Sequence, residues 1–158
     1  FYLHHDRVEI TLANGSKLDI YFTPDTGSVF YRYKINTISQ VRHPGIFLGI
    51  DRQGRRWYMH NHFEHGRPVI ETESGFAKGQ PLYIGERQPQ AGYRLVVQVA
   101  LNEILQAKPY DWISYNCQVF VNKVCFNENK SEAVENWTGG LAFGLLLLLG
   151  ASAFSNSK

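Results

Sequence analysis

The sequence predicts an α+β protein, an antiparallel sheet packed on helices. Three observations carry that reading. Apolar and polar residues alternate across Arg7–Leu12 and Lys17–Phe22, around an Asn14-Gly15 pair that suits a tight hairpin turn. Gly45–Ile50 is a short apolar run, followed by a turn at Asp51–Gly54 and a returning run at Arg56–His62. The period then lengthens: over Tyr93–Lys108, Leu95, Val96, Val99, Leu101, Ile104 and Leu105 form one broad helical stripe.

The elements follow in order. Thr23–Gly27 has loop composition, and Val29–Ile35 reads as a further strand. Along Arg56–His62, alternate positions Tyr58, His60 and His62 share one face, with Trp57, Met59 and Asn61 on the other. Gly66–Gly92 is rich in Gly, Pro and Gln and reads as loop, with one more strand at Pro81–Ile84. Pro109 ends the first long helix. Asp111–Asn127 carries a second helical pattern through Val119, Phe120, Val121 and Val124. Ser131–Asn136 opens a third helix, leading into the uncharged stretch Gly139–Phe154 with its five leucines Leu145–Leu149. No repeat or low-complexity linker divides the chain, so we expect one domain over 1–136 and an apolar C-terminal helix over 137–158. The strongly apolar part of that tail is about 16 residues, where a spanning helix wants about 20. Trp137 at its leading edge suits an interfacial anchor. Membrane contact is the expectation, with a buried core helix and a self-association surface as alternatives.

Composition narrows the function. The 158 residues suffice for a core without metal or disulfide staples. A net charge of +2 with no basic run argues against a nucleic-acid partner. The chain opens on Phe1, which reads as a processed or trimmed product, and it opens with no signal-peptide pattern. Cys117 and Cys125 fall on one helix about 12 Å apart along its axis, too far for a disulfide. Two unbridged thiols suit a reducing, intracellular setting. Cys125, between Val124 and Phe126, reads as a small buried hydrophobe.

Cys117 differs, because it stands where a helix begins and Asn116 suits the N-cap. The positive end of the helix dipole favours thiolate, the reactive form, and nearby backbone N–H groups could hold an oxyanion. A lone cysteine there is more often structural, so the site needs a base. Of six histidines, His43 stands directly before the Gly45–Ile50 strand, where it can face a cleft. His60 and His62 on the adjoining strand could supply the third group that orients the base. His4 and His5 fall in a ragged, solvated start. His60, His62 and His65 with Glu64 also form a dense cluster, but spacing fixes no third ligand, so no metal site and no cofactor are assigned.

These residues resemble the boxes of the lecithin:retinol acyltransferase-like proteins, the permuted NlpC/P60, papain-like cysteine family. Arg42-His43-Pro44-Gly45-Ile46-Phe47-Leu48-Gly49 is similar to their "H-x-G-I-Y-x-G" box. Tyr58-Met59-His60 resembles the second-histidine box, and Pro109-Tyr110-Asp111 through Asn116-Cys117-Gln118-Val119-Phe120-Val121 the "P-Y … N-C-E-H-F-V" box. The order His, His, Cys is that of the circularly permuted branch. The match covers Val41–Asn122, and the family's Glu-His after the cysteine is Gln118-Val119 here.

The resemblance implies Cys117 as acyl-accepting nucleophile, His43 as its base and His60 as the ring-orienting histidine, with His62 as fallback. The helix start itself puts the expected oxyanion site at Asn116 and the Cys117 backbone. The resemblance implies a thiol acyltransferase or hydrolase of the phospholipase type, acting on phospholipid or other acyl esters and membrane-associated through 137–157. Two other outcomes stay open. Similar His and Asn-Cys boxes occur in certain picornavirus 2A proteins, some of them thought not to be enzymes, and that branch would make this a non-catalytic interaction protein. The cell-wall NlpC/P60 branch would make it a peptidase or amidase. Oligomeric state is not legible in the sequence.

Overall fold

The computed structural model describes residues 1–12, 14–33 and 41–129. They form the expected α+β arrangement, an open antiparallel sheet of eight strands with three helices. The third helix and the tail expected from 131 onward lie outside these residues, as does the anchor assigned to 137–158. Among the described residues no helix is long and apolar enough to cross a membrane.

The hairpin is present as β2 (Arg7–Thr11) and β3 (Lys17–Tyr21), with Gly15 at positive φ in its turn. The start of the chain is more ordered than its composition suggests. Tyr2–Leu3 (β1) pairs with β2, and Arg94 donates to the carbonyls of His4 and His5 at 2.8 and 2.6 Å. The long strand β5 (Arg42–Asp51) organises the sheet. One of its edges takes β4 (Val29–Tyr33) beside its first half and β3 beside its last two residues. The other edge takes β6 (Arg56–His62), which in turn pairs with β7 (Arg67–Thr72). A short β8 (Tyr83–Ile84) adds to β4.

Two boundaries differ from the sequence reading, each for a physical reason. His43 lies inside β5, as its second residue, and not ahead of it. Pro44 cannot donate to a strand ladder and therefore reads as a boundary, yet it pairs in register with Tyr31. The stretch read as loop after Gly66 holds β7 and the short helix α1 (Glu73–Ala77). As an edge strand β7 tolerates Pro68, which masks it in the sequence.

The helices α2 (Tyr93–Gln106) and α3 (Cys117–Phe126) pack behind the sheet. Val96, Val97, Ala100 and Leu101 of α2 and Val119, Phe120, Val121 and Val124 of α3 join Val8, Ile20, Ile46, Leu48 and Met59 in one buried core. The helical pattern beginning at Asp111 resolves into a turn before α3. The Asp111 carboxylate accepts from the N–H groups of Ile113 and Ser114 at 3.0 and 2.6 Å, an alternative to helix that short acidic side chains offer the backbone.

Cross-strand partners share a sheet face. By this register Phe30 and Arg32 of β4, His43, Gly45 and Phe47 of β5, Tyr58, His60 and His62 of β6 and Glu71 of β7 line one face. Phe76 of α1 covers that face, packing with Phe47 and Tyr58 in a second, smaller core. The face carries a buried polar layer, and it is this layer that brings the histidines together.

Candidate functional site

Cys117 is the first residue of α3, and it is 3% exposed. Asn116 caps the helix: its Oδ1 accepts from the N–H groups of Gln118 at 2.9 Å and Val119 at 3.1 Å, while its Nδ2 donates to the Trp112 carbonyl at 2.9 Å. Two of the first-turn donors are thus committed to the cap. The segment ahead of the cysteine is pinned from both sides. Asn61 Nδ2 of β6 donates to the Tyr115 carbonyl at 2.8 Å, and the buried Tyr115 hydroxyl donates to Glu103 of α2 at 2.8 Å. Lys123 completes that carboxylate's pairing at 2.7 Å.

His43, His60 and His62 are all buried, at 2%, 1% and 3% exposure. His43 Nε2 lies 3.0 Å from His60 Nδ1, and the two rings meet edge to face. His62 also stands edge to face with His43, its ring centroid 5.0 Å away, but its nitrogens point elsewhere. The Arg32 guanidinium, which can only donate, approaches His62 Nε2 at 3.4 Å. Its other nitrogen, Nδ1, faces the backbone N–H of Glu64 at 3.3 Å and lies 3.7 Å from the Glu64 carboxylate. Of the two candidates for the ring-orienting position, His60 is therefore the one in hydrogen-bond reach of His43.

Two residues absent from the sequence reading complete the layer. Glu71 of β7 meets His60 Nε2 at 2.8 Å through one carboxylate oxygen and His65 Nε2 at 2.8 Å through the other. These bonds hold its carboxyl down at about 2, the hydrogen bond from His60 foremost and burial opposing it. Arg32 is buried, donates to the Phe76 carbonyl at 2.6 Å, and lies within electrostatic reach of Cys117, Glu64 and Glu71. Burial is the larger influence on it and lowers its proton affinity. Burial also lowers the proton affinity of His60, and it pulls His62 down to about 4. Neutral imidazoles are thus the resting form of both. Glu71 escaped the sequence because β7 did. The turn Phe63–Gly66 between two runs of strand composition was the available signal.

Cys125 lies on α3 as expected, buried and unbridged, and burial pushes its thiol up to about 12. The cluster of His60, His62, His65 and Glu64 does not converge. Among the described residues no group of three or more His, Cys, Asp or Glu side chains is placed to hold a metal ion. No family model matches the chain, and no curated protein matches it.

Proposed function

We propose that this is a cysteine acyltransferase or hydrolase of the permuted NlpC/P60, lecithin:retinol acyltransferase-like kind, acting on a lipid acyl ester. The observation that carries the reading is His43 Nε2 at 3.0 Å from His60 Nδ1, in a chain whose Cys117 opens α3. A base held by a second ring, together with a thiol at a helix N-terminus, is the arrangement nucleophilic catalysis requires.

In this reading His43 takes the proton from Cys117 Sγ, and the thiolate forms a C–S bond to the ester carbonyl carbon. The carbonyl electron pair moves to oxygen, where the Cys117 backbone beside the Asn116 cap would face it. Collapse breaks the C–O bond, and the departing alkoxide takes the proton back from His43. Water or an acceptor hydroxyl then gives its proton to His43 and its oxygen to the acyl carbon; the C–S bond breaks with its electron pair going to sulfur, and His43 returns the proton to Cys117 Sγ. The lipid preference rests on the resemblance and on the apolar segment 137–157, which would bring the site to a bilayer.

The test is intact mass after incubation with mixed phospholipid vesicles, for the parent chain, Cys117→Ala and His43→Ala. A fatty-acyl increment confined to the parent chain is the expected result. No increment and no released fatty acid would overturn the reading. One observation favours a second reading, that of a non-catalytic interaction protein: Cys117 and His43 are 3% and 2% exposed. An inert Cys117 toward iodoacetamide at neutral pH would select it.

A further inference from the structure

We propose that Glu71 is a positioning residue for the thiol site: its carboxylate fixes the proton on His60 Nε2, and through His60 it fixes the proton on His43 Nε2, leaving His43 Nδ1 as the base. The catalytic meaning of this chain rests on the acyl-transfer reading above, whereas the proton arrangement does not.

The argument is one of donors and acceptors. An ionised carboxylate only accepts, so His60 Nε2, 2.8 Å from Glu71, must carry the hydrogen. A neutral imidazole has one donor and one acceptor nitrogen. His60 Nδ1 is then the acceptor, and the group facing it at 3.0 Å, His43 Nε2, must be the donor. The lone pair of a neutral His43 is thereby left on Nδ1. The polarity would reverse if His60 were an imidazolium, since both its nitrogens would donate and His43 would have to accept. Burial of His60 at 1% exposure opposes that state.

The sheet explains why a residue so far along the chain can do this. His60 pairs with Val69 across β6 and β7, so Glu71 lies two residues along, in the diagonal position that a long side chain can span. His65 donates to the second carboxylate oxygen at 2.8 Å, which fixes the carboxylate's rotation. Phe76, whose ring lies 5.1 Å from that of His60 and 5.8 Å from that of His43, closes the layer above them.

Two-bond ¹H–¹⁵N correlation spectra of the full chain, labelled at histidine, read the ring protonation directly. At neutral pH, His43 and His60 are expected as neutral, Nε2-protonated rings. In Glu71→Ala the His60 signature should move toward the Nδ1-protonated form or a mixture. Alkylation of Cys117 should slow about tenfold, a fraction of what mis-set tautomers cost in catalytic triads. Glu71→Gln keeps an oxygen acceptor and nearly the same shape, so it should retain the ring signatures and guards against simple misfolding. An imidazolium or Nδ1-protonated His60 in the parent chain would overturn the proposal, as would ring signatures and alkylation unchanged in Glu71→Ala. A parent Cys117 inert to alkylation would instead remove the acyl-transfer reading, and the ring spectra alone would then decide what Glu71 does.

Discussion

Gly45 offers a sharp test of how the histidine layer is packed. A methyl group at this position would lie 2.7 and 2.8 Å from Cε2 and Cζ of Phe76, and 3.3 Å from Cβ of His60. The Phe76 ring cannot simply swing away, because it is fully buried and stacked on Tyr58 at 4.8 Å. Overpacking of this kind costs about 1–3 kcal/mol, and near 2 kcal/mol should lower Tm by roughly 4–8 °C in a chain of this size. Phe76→Ala alone should cost about 3–5 kcal/mol through the cavity it leaves. In the double variant the new methyl group occupies vacated space, so the two costs should fall short of their sum by at least about 1 kcal/mol. Urea denaturation followed by circular dichroism measures all three. A Gly45→Ala cost under about 0.5 kcal/mol, or costs additive to within about 0.5 kcal/mol, would refute the contact on which the layer's closure is argued.

Two further expectations follow from the same region. Asn116→Ala removes the cap of α3 and its link to Trp112, and should cost about 1–2 kcal/mol. Asn116→Asp keeps the two cap bonds and should cost less, so equal losses in the two variants would contradict the capping role. Acid sensitivity follows from His62, which is held at about 4 in the fold against about 6.5 in an unfolded chain. Between these values the unfolded chain binds a proton that the fold refuses. Stability is therefore full above about pH 6.5 and falls as pH drops toward 4. Glu71, held at about 2, extends the loss to lower pH. In His62→Gln, Tm against pH should be shallower across the upper window, though not flat, because His60 is also held neutral. An unchanged slope would show that His62 does not titrate there.

Much of the fold was legible because patterning and local chemistry agreed. The hairpin at Asn14-Gly15, the alternation of Arg56–His62 and the stripe on α2 each come from residues whose period matches the element. What escaped was governed by tertiary context. β7 is short, contains Pro68 and follows a glycine, so beyond the Phe63–Gly66 turn ahead of it little local distinguishes it from the loop around it. It is a strand because β6 offers it an edge. The site divided along the same line. Cys117, His43 and His60 could be nominated from their types and order, whereas the choice between His60 and His62 turns on where ring nitrogens point. Glu71 and Arg32 are ordinary surface types by composition, and only the register brings them beside the rings.

The two faces of β5 and β6 explain how one pair of strands can do two jobs. On one face, Ile46, Leu48 and Met59 meet α2 and α3 and supply the apolar burial that holds the fold. On the other, His43, His60 and His62 meet Arg32 and Glu71 under the Phe76 ring. Such a buried polar layer is costly unless its donors and acceptors match, and the match here runs from an ionised Glu71 through His60 to His43. A network satisfied in this directional way has one low-energy proton arrangement. In that arrangement the lone pair of His43 lies on Nδ1, where the proposed acyl transfer places the base. A protein needing only a stable sheet could fill the same face with more of the Phe47, Tyr58 and Phe76 cluster beside it. Under the acyl-transfer reading proposed above, the polar chain serves chemistry at Cys117, and the ring spectra and alkylation rates of the Glu71 variants put that inference at risk.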